Sequence, residues 1–219
     1  MWGLAQTVAP ADEPVTRDEA MLFCRADNPE EAPLFDGLIR AARRRVERGS
    51  SRQLVTATWQ LTLDSFFDLE PRSRWTLQAV PGQEDLIPQL RGIGIFSAGN
   101  VIRLPKSPLR SVVSVQYVDT GGNPQTLDPS RYLTDLVGQP GRIAPAYGTF
   151  WPITRRQINA VTVTFTAGYA DAGKDCPDDV KLAVKQIVAL KYQNRSLTDN
   201  NPALEKAIDS VIFQFWDGA

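Results

Sequence analysis

The sequence predicts an α+β fold in which a small α-helical bundle is interrupted by an inserted antiparallel β domain and completed by a C-terminal helix. Three observations support this fold class. Apolar residues recur at helical spacing between Glu30 and Arg48. Residues 54–63 then alternate between apolar and polar side chains, as in a strand that has one buried and one solvent-exposed face. Helical spacing returns after Pro177, a residue favoured at helix starts.

Four helices are predicted, and local signals mark several of their ends. Thr16 and Glu19 form a capping-box pattern that begins the first helix. Gly49 is the predicted C-cap of the second helix. Pro177 and the two aspartates after it mark the start of the third, because negative charge is favoured at a helix N-terminus. The predicted helical ranges are 16–24, 30–48, 177–195 and 203–216.

The strands are predicted between the second and third helices. Gly121-Gly122-Asn123 gives a turn signal between two of them, and residues 71–99 are interpreted as an extended loop. The predicted strands are 54–63, 100–104, 112–118, 125–127, 132–135 and 160–167. Together, the elements divide the chain into a flexible N-terminal arm (1–14), a helical bundle (15–52 and 174–198), the inserted antiparallel β domain (53–173) and a C-terminal helical segment (199–219).

The composition argues against an enzyme. The 219 residues carry a formal net charge of −1 and include no histidine, which removes the usual general base near neutral pH and the commonest metal ligand. The two cysteines, Cys24 and Cys176, lack metal-ligand spacing, and we expect both to be reduced. We therefore predict no catalytic residue, metal or cofactor. The sequence shows no secretory signal and no apolar run long enough to cross a bilayer, so no membrane partner is expected.

A basic cluster on the second predicted helix is the first candidate site. One interpretation is a solvated helix face whose arginines pair with carboxylates such as Glu47. The other is a subunit seam or a surface facing the DNA channel, because several arginines together attract phosphates without regard to sequence. The residues are Arg40, Arg43, Arg44, Arg45 and Arg48.

The last predicted helix is the second candidate site, because it is unusually apolar for a chain end. It either packs back on the chain's own bundle or docks into another protein as a helix in a groove. The candidate anchors are Leu204, Ile208, Ile212, Phe213, Phe215 and Trp216.

An ordered series of landmarks runs through residues 15–196. It includes Thr58-Trp59-Gln60-Leu61, Leu104-Pro105, Pro108-Leu109, Pro140-Gly141-Arg142-Ile143, Trp151-Pro152, Gly168-Tyr169, Pro177 and Asn194-Arg195. This series resembles the head–tail connector proteins of tailed phages, also called adaptors or head-completion proteins. The similarity is to the longer members, which carry a β domain inside the helix bundle.

The resemblance implies a structural role. Such proteins form a ring, usually dodecameric, beneath the portal protein; the ring extends the DNA channel and offers a platform for the stopper or tail-completion protein. The implied partners are the portal, the stopper or tail, other copies of the same chain and, by non-specific proximity, packaged double-stranded DNA. The implied location is the head–tail junction of a phage, prophage or gene transfer agent particle, assembled in the bacterial host cytoplasm. The resemblance also implies that no chemistry is carried out.

A ligand- or glycan-binding β-sandwich of a phage particle is the alternative interpretation. It rests on the aromatic residues of the middle of the chain, whose exposure would favour ligand binding and whose burial would indicate core packing. These are Trp59, Trp75, Tyr117, Tyr132, Tyr147 and Trp151.

Overall fold

The computed structural model describes residues 2–66, 101–194 and 202–217, with the side chains at 202, 204 and 213–217 excluded. The helices are α1 (Arg17–Cys24), α2 (Ala32–Gly49), α3 (Asp178–Gln193) and α4 (Pro202–Asp217). The strands are β1 (Trp2–Val8), β2 (Ala57–Leu63), β3 (Ile102–Arg103), β4 (Leu109–Val118), β5 (Pro124–Thr126), β6 (Tyr132–Asp135), β7 (Arg142–Pro145) and β8 (Val161–Ala167). The loop predicted at 71–99, and Trp75 within it, lie outside the described residues.

The predicted α+β class is confirmed, with two antiparallel sheets and a C-terminal helix. The first sheet has the strand order β1-β2-β8-β4-β5, and the second has the order β3-β7-β6. In the second sheet, Tyr132 lies opposite Pro145 and Asp135 lies opposite Arg142, which fixes the register of β6 and β7. The sequence did not predict β7, which is only four residues long.

The chain forms two compact units, each assembled from three separate stretches. One comprises Met1–Thr7, Trp59–Leu104 and Ser111–Phe165, and is called the β unit below. The other comprises Val8–Thr58, Pro105–Arg110 and Thr166–Ala219, and is called the helical unit. The division predicted from the sequence, at 15–52, 53–173, 174–198 and 199–219, stays a prediction.

The helical unit is built around the buried face of α2. Helix α2 packs against α1, α3 and α4, and α3 also packs against α1 and α4. Phe35 of α2 is fully buried, and its ring lies 4.9 Å from that of Tyr192 of α3. The Tyr192 hydroxyl donates a hydrogen bond of 2.6 Å to the carboxylate of Glu31. The apolar spacing that predicted α2 and α3 therefore supplies the faces that these two helices bury against each other.

Two helix ends in this unit test the predicted capping signals. The predicted capping box is confirmed, since the Glu19 amide donates to the Thr16 hydroxyl and the Thr16 amide donates to the Glu19 carboxylate. The predicted C-cap at Gly49 is wrong, because α2 includes Gly49 and is capped by Ser50, whose hydroxyl donates to the Val46 carbonyl. A Cβ atom at Gly49 would lie 3.1 Å from Ile212, so close packing explains this glycine.

The β unit has an aromatic core. The ring of Phe66, which is fully buried, stacks on that of Trp151 at 4.8 Å and meets that of Tyr117 edge-on at 5.9 Å. The predicted turn between β4 and β5 is confirmed. Gly122 has a φ of +92°, which only glycine adopts at low cost, and the Asp119 carboxylate accepts a hydrogen bond from the Asn123 amide.

The N-terminal residues differ from the flexible arm predicted for residues 1–14. Trp2–Val8 forms β1, an edge strand paired with β2, and the Thr62 hydroxyl donates to the Gly3 carbonyl. Val15, just after the predicted arm, is buried in the core of the helical unit. The strand depends on backbone pairing with residues more than fifty positions away, which local sequence patterns do not report.

Of the helices that the structure describes, none combines the length and the hydropathy that a membrane-spanning helix requires.

Candidate functional site

Helix α2 separates the five arginines of the predicted basic cluster into two groups. The side chains of Arg43 and Arg45 turn toward other elements of the helical unit and form ion pairs there. Arg40, Arg44 and Arg48 are exposed, and none of the three forms an ion pair among the residues that the structure describes. Pairing with carboxylates therefore holds for Arg43 and Arg45, although Arg43 pairs in the core rather than on a solvated face. Whether the exposed arginines form a subunit seam or face DNA stays a prediction.

Arg43 is the centre of a buried ionic network. Its side chain is only 7% exposed, and it donates to Glu13 at 2.7 Å and to Glu47 at 2.8 Å. The other carboxylate oxygen of Glu47 accepts hydrogen bonds from the Gln53 side-chain amide at 2.7 Å and from the Leu54 backbone amide at 3.3 Å. The network thus fixes the segment that leads from α2 toward β2.

Burial shifts the pKa values of two side chains in and beside this network. Burial raises the pKa of Glu47, although the positive charge of Arg43 and the hydrogen bond from Leu54 oppose that shift. Burial likewise lowers the pKa of Lys106, whose ammonium group donates a hydrogen bond of 3.1 Å to the backbone carbonyl of Glu47. Desolvation therefore disfavours the charged forms of both side chains.

A pH-dependent stability follows for Glu47. Because its pKa is higher in the folded than in the unfolded chain, the folded state binds this proton more tightly. Its contribution to the free energy of unfolding therefore falls as the pH rises from the ordinary pKa of a glutamate side chain through the raised pKa of Glu47. We expect the wild type to lose stability relative to Glu47→Gln over this interval. Urea unfolding of both proteins at several pH values measures the difference. If the stability of the wild type relative to Glu47→Gln instead rises with pH, the pKa of Glu47 is not raised in the folded chain.

Arg45 joins α2 to α4 at the surface. One of its guanidinium nitrogens lies 2.8 Å from Glu205 and 2.6 Å from Asp209, and both carboxylates are substantially exposed. Exposed ion pairs of this kind contribute about 0–1 kcal/mol each. They help to orient α4, but apolar burial must supply most of the stability of its packing.

The predicted anchors on α4 divide in a similar way. Ile208 is fully buried and Ile212 is 6% exposed, and both belong to the core cluster of the helical unit. These two side chains therefore follow the alternative in which the helix packs back on its own bundle. The side chains of Leu204, Phe213, Phe215 and Trp216 lie outside the described residues. Whether α4 binds a portal protein stays a prediction.

The described aromatic residues behind the ligand-binding alternative differ in their exposure. Trp151 and Tyr132 are buried, and Trp59 and Tyr117 are half-buried. Tyr147 is fully exposed. Burial of the first two indicates core packing, which is the outcome that weakens the interpretation of the β unit as an aromatic ligand-binding platform.

Sequence reasoning missed an apolar part of the β-unit surface. Val137, Phe150, Ile153 and Ile158 are each more than three-quarters exposed. Ile153 and Ile158 border an open groove of about 570 Å³, together with Asp64, Ser65 and residues 154–157. Their loop positions carry no periodic signal, so only the folded structure reveals their exposure. Among the described residues, no group of three or more cysteine or acidic side chains is placed to hold a metal ion.

The fold defined by these two units is known from particle structures. Neither a protein family nor a curated protein matches the sequence. Three solved chains share the fold at 19% sequence identity. One, from a "Virion of native gene transfer agent (GTA) particle", gives a TM-score of 0.66 over 97% of this chain and 94% of that chain.

The other two chains come from neck reconstructions. The "Neck of empty GTA particle computed with C6 symmetry" gives a TM-score of 0.65 and covers 98% of this chain and 94% of that chain. The "Neck of native GTA particle computed with C12 symmetry" gives 0.59 and covers 97% and 94%. At this identity the comparisons establish a shared fold over nearly the whole length of each chain.

Proposed function

We propose that the chain is a structural protein of the neck of a phage-like particle, where it acts as a head–tail connector. In this role it forms a ring beneath the portal, extends the DNA channel and provides the platform for the stopper or tail. The observation that carries the proposal is the shared fold over 97% of this chain with a chain of a gene transfer agent neck. Such a match differs from the sharing of one common domain, because the similarity covers 97% of this chain and 94% of that chain.

Symmetry supports the oligomeric part of the proposal. The neck structures were computed with C6 and C12 symmetry, and a dodecameric ring is compatible with both. A ring of identical subunits needs heterologous contacts, in which one surface of a subunit fits a different surface of the next. The proposed partners are therefore other copies of this chain, the portal, and the stopper or tail-completion protein. We place assembly in the host cytoplasm and the mature protein in the particle neck.

The proposed role is not catalytic. The chain has no histidine, and the strongest cluster of buried charged groups, around Arg43 and Glu47, is hydrogen-bonded within the helical unit. Such a network stabilises a fold, whereas a catalytic centre presents its reactive groups to a substrate. A connector requires a stable subunit with specific surfaces, and this arrangement meets that requirement.

Size-exclusion chromatography with light scattering tests the proposal. The purified chain is mixed with the portal protein encoded by the same genome. We expect one complex that contains as many copies of this chain as of the portal. The portal mixed with the Ser210→Ala variant, whose stability is expected to stay close to that of the wild type, serves as the matched comparison. Elution of the wild-type chain separately from the portal, at concentrations well above micromolar, would contradict the connector role.

A further inference from the structure

The exposed side of α2 has a composition of its own. It consists of Gly37, Arg40, Ala41, Arg44 and Arg48, which is called the outer face below. All five residues are exposed, and a Cβ atom added at Gly37 would have no neighbour within 4 Å. The outer face lies opposite the side of α2 that carries the buried residues Phe35, Ile39, Ala42 and Val46. It is therefore an exposed, basic surface on a helix whose other side is buried in the core.

We infer that the outer face binds the phosphate backbone of double-stranded DNA. This inference rests on the proposed connector function and deepens it, because it assigns a partner to one surface of the subunit. The contact is sequence-independent and is carried by Arg40, Arg44 and Arg48. Arg43 and Arg45 take no part, since both are held by carboxylates of the same chain.

The positive charge of the outer face supports this inference. Helix α2 contains two carboxylates, and neither neutralises the outer face through an ion pair. Asp36 accepts a hydrogen bond of 2.9 Å from Arg17, and Glu47 is buried with Arg43. Asp36 also attracts Arg40 electrostatically, so the outer face keeps a positive excess that is partly offset at Arg40, in a chain whose net charge is −1. The positive patch is local, so a general excess of basic residues does not explain it.

The spacing of the three arginines along α2 also supports it. The three arginines are four residues apart, so successive side chains leave the helix about 6 Å apart along its axis and the set spans about 12 Å. Successive phosphates of one DNA strand are about 3.4 Å apart along the axis of the duplex, so a span of about 12 Å covers three to four of them. The planar guanidinium group also matches the phosphate oxygens in a bidentate arrangement. Gly37 has no side chain and Ala41 has only a methyl group, so a duplex could approach the helix closely at these positions.

The other occupant to consider is an acidic surface of a neighbouring copy in the ring. It would use the same arginines, but as a subunit seam. The two occupants differ in their consequences: loss of a seam abolishes assembly, whereas loss of a DNA contact leaves the ring intact. The following experiment uses this difference.

DNA binding is measured by fluorescence anisotropy of a labelled duplex with the full-length protein over a range of salt concentrations. The test variant is Arg40→Gln/Arg44→Gln/Arg48→Gln. The control is Arg103→Gln/Arg131→Gln/Arg156→Gln, which removes the same charge from exposed arginines of the β unit. We expect the plot of log affinity against log salt concentration to become less steep by about 2–3 in the test variant, because each phosphate contact adds about 0.9 to the steepness. The control keeps the wild-type slope.

Three results would overturn the inference. The first is a wild-type protein that does not bind the duplex even at low salt, and the second is a test variant with the slope of the control. The third is a folded test variant that no longer joins the ring on the portal, which would make the outer face a subunit seam. A different result would separate the two proposals. If only the test variant shows the weaker salt dependence but the wild type forms no ring with the portal, the DNA contact is supported and the connector role is contradicted.

Discussion

Replacing Arg43 by methionine is expected to lower the free energy of unfolding by about 3–5 kcal/mol. The substitution leaves two carboxylates, Glu13 and Glu47, without their shared cation, and Glu47 is buried where water cannot solvate it. Urea unfolding followed by the circular dichroism of the helices measures the loss, since Arg43 lies in the helical unit.

Arg44→Met is the matched control for this prediction, because Arg44 is the next residue of the same helix and is exposed. Its effect is expected to stay within about 0.5 kcal/mol. A second variant, Arg43→Met/Glu47→Leu, removes both buried charges, and we expect it to recover part of the loss. The recovery is incomplete because Gln53 and the Leu54 amide then lose an acceptor in the core. Equal stability of Arg43→Met and Arg44→Met would show that the network around Arg43 is solvated.

Ile208→Ala gives the second large effect, with an expected loss of about 2–5 kcal/mol. Ile208 is fully buried in the core formed by the helices, and truncation to alanine removes apolar contacts and leaves a cavity. The control is Ser210→Ala, an exposed position two residues along α4, with an expected change within about 0.5 kcal/mol. Thermal or urea unfolding of the three proteins tests both values.

The same pair of variants separates the two interpretations of α4. If α4 is a packed element of the subunit, Ile208→Ala loses stability, and any weakening of portal binding follows from unfolding. Unchanged stability combined with lost portal binding would instead identify Ile208 as an anchor that is free before assembly. That result would contradict the packing of α4 and restore the docking interpretation for this residue.

The sequence predicts those features of the fold that short stretches of chain specify. Thr16 and Glu19 carry the signal for the start of α1 within four residues, and the alternation across residues 55–63 carries the signal for β2. Strand β1 is different, because Trp2–Val8 becomes a strand only through pairing with β2. Gly49 shows the same limit, since a Cβ atom there would crowd Ile212, far along the chain.

The candidate surfaces were predicted as groups of residues, and the structure separates their members. Sequence spacing suggested that Glu47 pairs with an arginine of α2, and Arg43 does so four residues away. The partners of Arg45 lie 160 and 164 residues further along the chain, a relation that no local pattern contains. The outer face of α2 therefore emerges only when these intramolecular pairs have been assigned.

The buried network and the outer face give α2 two roles in one subunit. Its inner side holds the helical core and, through Glu47, the segment at Gln53 and Leu54 that follows the helix. Its outer side is exposed, and we propose that it contacts DNA in the particle. A connector needs this combination, because ring subunits must stay rigid while they present specific surfaces to DNA and to their neighbours.

Electron microscopy of this protein mixed with the portal from the same genome is the most direct test of the connector role. The expected image shows an additional ring at the narrow end of the portal, and classification yields twelvefold or compatible symmetry, as in the neck reconstructions computed with C6 and C12 symmetry. Bare portals beside free, folded monomers, at micromolar concentration and moderate salt, would contradict the proposed function.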